Sequence, residues 1–259
     1  MVRGRFTTND TNQNELQKGD CHRWYRSACE MFDYPAGPYG SHIKALITGD
    51  DTVLDLGCGI GVASVMMSPW CKQVIALDED EDALVCLAAQ VRERDITNIV
   101  IKHGAWPSAA PVRADIIVAL HVPRIMRLYA NLKLVFELAN KGAFIACQAP
   151  VSRQDELFHE LKEELSLKTN YEKCYNGCFV KGCYEAMGAR VTCEKKVYEF
   201  GQPLDSLEEA IRFISMQIGA DDSMIGTVEK RAERYAHKNG GGYIVPITRQ
   251  SCAISFVKR

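Results

Sequence analysis

No stretch of this sequence stays apolar for the eighteen or so residues that a membrane-spanning helix needs. Met1 to Asp20 is polar and has no apolar segment of the kind that directs a chain to export. Both absences lead to the expectation of a cytoplasmic protein. There is no excess charge of one sign either: the formal net charge is -2. One argument for a nucleic-acid partner is thereby removed, since such partners usually draw a clustered Lys/Arg face. Balanced charge does not exclude an RNA or protein substrate. There is no internal repeat and no low-complexity linker. Paired Cys-x-x-Cys spacing, the usual mark of a structural zinc site, is also missing. Cys174, Cys178 and Cys183, with His159 upstream, form a looser cluster whose gaps do not match, and no metal is expected.

What is present is a chain of 259 residues, 47% hydrophobic and 25% charged. That suits one α/β domain with additions and a sizeable core. The 11 cysteines are many for this length. Cys58, Cys86, Cys147 and Cys252 lie in apolar runs, where cysteine acts as a small buried hydrophobe. A reducing compartment is the matching expectation.

Residues 1–20 read as a polar, frayed tail. Residues 21–48 carry an aromatic-rich helix–turn–helix around Tyr34-Pro35-Ala36-Gly37-Pro38-Tyr39-Gly40. From Thr52 the pattern changes. Strands are expected at Thr52–Leu56, Gln73–Leu77, Ile99–Lys102, Ala114–Leu120 and Ala143–Gln148, with helices at Asp82–Glu93 and Ile125–Asn140. Such alternation implies βαβ units and a parallel sheet covered on both faces. Farther on, helices are expected at Gln154–Leu167, in a short piece ending at Gly188, and at Ser206–Ile218 and Thr227–Lys238. A loop at Asn239–Gly242 follows, and two last strands lie at Ala189–Phe200 and Ser251–Lys258. The expected organisation is a polar tail and helical cap over 1–44 and a main domain over 45–259, with a helical insertion at about 204–240.

The informative segment is Val53-Leu54-Asp55-Leu56-Gly57-Cys58-Gly59-Ile60-Gly61. A strand runs into three alternate glycines and then into a helix. Glycine is needed where the chain turns sharply or where a ligand lies against the main chain, and the helix start offers free N–H donors. Asp78 ends the next strand, about twenty residues on, where an acid can take both ribose hydroxyls of an adenosine ligand. The dinucleotide fingerprint competes, but it wants glycine or alanine where Val62 stands. A glycine turn serving only helix–strand packing is the bland reading.

Val53–Gly61 resembles motif I of the class I S-adenosylmethionine-dependent methyltransferases, and Asp78 matches that family's acidic ribose position. The resemblance spans about Ala45–Arg259. It implies a doubly wound, mostly parallel seven-stranded sheet whose last strand inserts antiparallel between the fifth and sixth. It also implies S-adenosylmethionine as cofactor and S-adenosylhomocysteine as product. The backbone around Gly57, Cys58, Gly59 and Gly61 should then cradle the methionine part, Asp55 should meet its amino group and Asp78 the ribose, with Glu79 nearby. Many members carry an acid after the third strand. Here Ala105 stands there, so adenine is expected on Ala105 backbone groups and stacked on Trp106. Tyr39 of the cap is placed to touch the methionine end or the acceptor.

The fourth strand ends at His121, near the transferred methyl in the family, which makes His121 the candidate general base or acceptor contact. Arg249 beside the last strand could bind an acidic substrate, with a solvated arginine as the bland reading. The acceptor pocket is expected to be walled by residues 34–42, His121 and part of 206–238. Deletion of residues 1–30 is expected to disturb activity or cofactor retention more than folding. The reading is a methyltransferase of a small-molecule acceptor, with no membrane or nucleic-acid partner indicated. A protein or tRNA methyltransferase is the alternative, weakened because His121 stands where an Asn-Pro-Pro-Tyr-like tetrapeptide would. A non-catalytic cofactor-binding partner and an NAD-dependent oxidoreductase, the latter disfavoured by Val62, complete the field.

Overall fold

The computed structural model describes residues 9–108, 112–126, 128–149, 156–167 and 177–258. The chain opens with helix α1 (Asn9–Met31), a π-helical turn (Ala36–Gly40) and the short α2 (Ser41–Lys44). Then come β1 (Thr52–Leu56), α3 (Val62–Met67), β2 (Gln73–Asp78), α4 (Glu81–Glu93), β3 (Ile99–His103) and β4 (Ala114–Leu120). Helices α5 (Pro123–Met126) and α6 (Tyr129–Leu138) lead to β5 (Ala139–Gln148), α7 (Glu156–Glu164), α8 (Gly177–Ala186) and β6 (Arg190–Glu199). Next are β7 (Gln202–Leu204), α9 (Leu207–Ile218), α10 (Ile225–Tyr235), β8 (His237–Asn239), β9 (Gly242–Val245) and β10 (Thr248–Val257).

Seven strands form one sheet in the order β3-β2-β1-β4-β5-β10-β6. The pairs β2–β3, β1–β2, β1–β4 and β4–β5 are parallel. Strand β10 is antiparallel to both β5 and β6. The protein is therefore an α/β doubly wound sheet with its last strand inserted between the fifth and sixth, as the motif-based resemblance implies. Side-chain alternation sorts the sheet residues to two cores. Leu54, Ile117, Ile145 and Ile254 face α6 and α8. Val53, Ile116, Phe144 and Ala253 face the N-terminal segment and α3. Burial on both faces explains why β1 and β4 read as near-continuous apolar runs.

Helix starts follow local chemistry. The Asp80 side chain accepts from the N–H groups of Asp82 and Ala83 at the head of α4, and Ser206 accepts from the Glu209 N–H at the head of α9. Gly219, with φ +72, ends α9.

Four local expectations are corrected. The helix expected at Ile125–Asn140 is two helices, broken by an extended Leu128, and Ala139 already opens β5. Helix α10 stops at Tyr235, and His237–Asn239 is a strand. It pairs with β9 across the two-residue Gly240-Gly241 turn, where φ is +58 at Gly240. The insertion is therefore not purely helical: β7, β9 and β8 make a second, three-stranded sheet. The polar tail, finally, is helical from Asn9 onward. The helix expected from Gln154 is described from Glu156; Gln154, Asp155 and Cys174 lie outside the described residues. No helix among the described residues is long and apolar enough to cross a membrane.

Candidate active site

The carboxyl ends of β1, β2 and β4 meet at a cavity of about 430 Å³, within the usual range for a small-molecule site. Leu56, Gly57, Leu77, Asp78 and Glu79 line one side, Gly104 and Trp106 another, and Leu120, His121, Val122 and Pro123 the third. This is where open α/β sheets hold ligands.

The glycine turn is shaped by its surroundings as well as by its own freedom. Gly57, Gly59 and Gly61 have φ of +73, +52 and +83, the left-handed region that glycine enters without strain. A Cβ on Gly57 would meet Val122 Cγ2 at 2.6 Å, and one on Gly61 would meet Leu87 Cδ1 at 2.2 Å. A Cβ on Gly59 would meet nothing within 4 Å. Packing therefore demands glycine at the outer two positions, while the middle one faces open space.

Asp78 is half-buried on the cavity wall. Its Oδ2 accepts from the Gly59 N–H at 2.7 Å and its Oδ1 from the Asp80 N–H at 2.9 Å. These bonds hold the carboxylate against the glycine turn, and each oxygen keeps acceptor capacity for a hydroxyl. Trp106 is 8% exposed and its Nε1–H has no acceptor. A buried donor left so is costly, and a ligand acceptor in the cavity would relieve it.

Not every residue expected at the site lines the cavity. Asp55 is 1% exposed and sits behind the turn, where its Oδ2 accepts from Ser64 Oγ at 2.6 Å. Burial pushes its pKa up to about 7, with the charge of Asp78 adding to the rise. Cys58, Gly59 and Gly61 belong to the turn but not to the lining, and the Ala105 carbonyl accepts from Ser108 Oγ. Among the described residues, none of 206–238 lines the cavity, so the expected wall from the insertion is corrected. The insertion packs instead on α1, through Trp24, Phe213 and Ile214. Val122 and Pro123 take its place. They were overlooked in the sequence because nothing in a short apolar run shows which way the chain turns after a strand.

His121 follows β4 with φ +54, a left-handed turn uncommon outside glycine. Its N–H donates to the Ala146 carbonyl at 2.8 Å, fixing that turn to β5. The residue is exposed on the cavity side, and its inner side packs on the Tyr39 ring. Desolvation by the surrounding protein, and then the Arg249 guanidinium, pull its pKa down to about 4. At neutral pH it is an uncharged ring within hydrogen-bond distance of the Tyr39 hydroxyl.

Tyr39 is fully buried beneath His121 and does not line the cavity. Its hydroxyl lies 3.0 Å from His121 Nε2, 3.0 Å from the Tyr198 hydroxyl and 2.6 Å from Ser251 Oγ. One hydroxyl thus ties the cap to β4, β6 and β10. Nothing local in the chain marks Tyr198 or Ser251, because only strand order brings them beside Tyr39. Tyr34 packs on Tyr198 and Phe200, and His42 pairs with Glu194. Cys178 is exposed and Cys183 buried. Among the described residues no group of three His, Cys, Asp or Glu side chains could hold a metal.

No protein-family model matches the chain. It is 28% identical over 123 residues to the ribosomal protein L11 methyltransferase of Thermoanaerobacter pseudethanolicus, covering 47% of this chain and 39% of that protein. With the Helicobacter hepaticus protein of the same name it shares 32% over 101 residues, 36% of this chain and 30% of that one. The chain thus matches well under half the length of these relatives. Among solved structures, the YcgJ protein of Bacillus subtilis superposes with a TM-score of 0.55 at 15% identity, covering 85% of this chain and 97% of that one. A Bacillus halodurans protein provisionally assigned as a methyltransferase gives 0.54 at 13%, covering 84% and 96%. TehB of Haemophilus influenzae gives 0.54 at 15%, covering 89% and 65%. The fold is that of the class I methyltransferases.

Proposed function

We propose that this protein is an S-adenosylmethionine-dependent methyltransferase of a small-molecule acceptor. The observation that carries the reading is the Gly57–Gly61 turn hydrogen-bonded to Asp78 on the wall of the cavity. The residues fit the cofactor. Open space stands over Gly59, Asp78 offers a carboxylate to paired hydroxyls, and Trp106 offers a buried ring and an unpaired N–H. When bound, S-adenosylmethionine supplies a methyl on a sulfonium, already a good leaving group. The chain's own residues then have mainly to bind, orient and exclude water. Asp78 and the turn would hold one partner, while His121, Val122 and Pro123 shape a further part of the wall, where the acceptor would enter. Tyr39 keeps the neutral His121 ring in place through its hydroxyl.

Calorimetry with S-adenosylhomocysteine is the test. Asp78→Asn keeps an acceptor for the Gly59 N–H but places an amide where ribose hydroxyls need a carboxylate. Binding should weaken roughly tenfold to hundredfold, the range for a hydrogen bond to a charged group. No binding to the wild-type protein, or equal binding by the folded variant, overturns the reading.

A protein acceptor is the second reading, favoured by the partial similarity to ribosomal protein L11 methyltransferases. Methyl incorporation from labelled cofactor into ribosomal protein, set against a small-molecule extract, separates the two.

A further inference from the structure

Strand β10 enters the sheet at its carboxyl edge with Thr248-Arg249-Gln250-Ser251. Register places Arg249 opposite Tyr198 of β6 and Ser251 opposite Lys196. Side-chain alternation puts Arg249, Ser251 and Ala253 on one face, and Ala253 lies in the core beneath the N-terminal segment. Ser251 and Tyr198 both reach the Tyr39 hydroxyl, which also meets His121 Nε2. Arg249 therefore stands one step outward from the hydroxyl cluster supporting the cavity wall, at the carboxyl edge of the sheet but outside the cavity's lining.

The surroundings of Arg249 are unusual for a cation. The side chain is only partly exposed. Its guanidinium lies 5.5 Å from the centre of the Phe200 ring. Its Nε–H is shut off from water and has no acceptor. Among the described residues no carboxylate pairs with it. Half-buried cations are normally paired because desolvation is costly, and stacking on one aromatic ring offsets only part of that cost. Nearby hydroxyls and a neutral histidine supply no counter-charge. Arg249 is also the charge that acts on His121, so its field reaches the cavity wall.

We propose that Arg249 is the oxyanion-binding residue of the acceptor site and that the methyl acceptor carries a carboxylate. A planar guanidinium matches the two carboxylate oxygens with paired N–H donors, a fit that lysine cannot reproduce. The carboxylate supplies the missing counter-charge, and a small turn of the side chain brings Nε–H to it. The acceptor's reactive atom then points back past His121 toward the cavity. The identity of the bound molecule as acceptor rests on the methyltransferase reading; the anion site itself does not.

The experiment uses the full chain with benzoate and inorganic phosphate as probes, each titrated by calorimetry with and without S-adenosylhomocysteine. Benzoate should bind the wild-type protein more tightly than phosphate. Arg249→Leu should weaken benzoate binding by roughly tenfold to hundredfold, and Arg249→Lys, which keeps the charge but loses the fork, should fall between the two. If Arg249→Leu fails to fold, Arg249→Lys carries the comparison. Equal benzoate binding by the folded variants, or none by the wild type, overturns the proposal. Phosphate bound in preference to benzoate overturns the carboxylate assignment. S-adenosylhomocysteine binding is read independently: benzoate bound through Arg249 without it would retain the anion site and sink the methyltransferase reading.

Discussion

At the scale of single residues, burial moves some groups in and behind the site away from their usual titration range. Asp55 shows this best. It is buried, bonded to Ser64 and has a pKa pushed up to about 7. A carboxyl protonated more readily in the folded than in the unfolded chain favours folding at low pH. Its contribution is full below about pH 4 and is lost as the pH rises through about 7. Over some three pH units the loss is on the order of 4 kcal/mol at 1.36 kcal/mol per unit. Asp55→Asn should therefore gain stability relative to wild type as the pH is raised from 5 to 8. Urea unfolding at the two pH values checks this, and a difference that does not grow with pH contradicts it. The residue types of the motif were legible in the chain; the direction that Asp55 faces was not. Its side chain turns toward α3 because alternation along β1 puts it on the same face as Val53.

At the scale of elements, the strands and helices that frame the cavity were readable because burial imposes period. Strands β1 and β4 match their expected bounds residue for residue, and α4 begins one residue earlier than its apolar spacing suggests. The small sheet β7-β9-β8 was not legible. Its strands are three or four residues long, and His237-Lys238-Asn239 has no apolar alternation. The turn Gly240-Gly241, rather than propensity, forms that hairpin. The head of α9 is where the insertion is secured. Glu209 is 8% exposed and accepts from the Asp205 N–H at 2.7 Å, from Trp24 Nε1 at 2.9 Å and from Arg23. Burial alone would raise its pKa, yet these donors together hold it below the usual range. Glu209→Ala strands a buried indole N–H and an arginine. It should cost roughly 1–3 kcal/mol, read as a drop in melting temperature, with Glu209→Gln intermediate because its amide oxygen still accepts from Trp24.

At the scale of the whole molecule, the N-terminal segment is part of the core. Trp24 is 2% exposed within the cluster that holds α9 and α10, and Ala28 and Cys29 are buried with Tyr34 and Tyr39 against the sheet. The expectation that residues 1–30 matter more for activity or cofactor retention than for folding is therefore replaced. Removing residues 1–31 uncovers both clusters. It should lower the cooperative unfolding midpoint sharply, because burying one large side chain contributes about 1.5–3 kcal/mol. Circular dichroism melts of the truncated and full chains check this. An unchanged midpoint would mean that α1 is only an appendage. Joined to the sheet through Tyr39, the same segment supports the cavity wall, so folding and site formation are coupled in one structure.

The class of fold, the glycine turn and its acid, and the strand end at His121 were legible in the chain itself. Each is a local pattern: a hydrophobic period, a glycine spacing, an acid at a fixed distance. Tertiary structure alone decided which of those residues face the cavity and which face helices. It set Val122 rather than the insertion on the wall, brought Tyr39, Tyr198 and Ser251 onto one hydroxyl cluster, and left Arg249 half-buried without an acidic partner among the described residues. The reason is physical. Side-chain identity and spacing are carried by the chain, whereas contact between residues 159 or 212 positions apart arises only when strands far apart in sequence lie side by side.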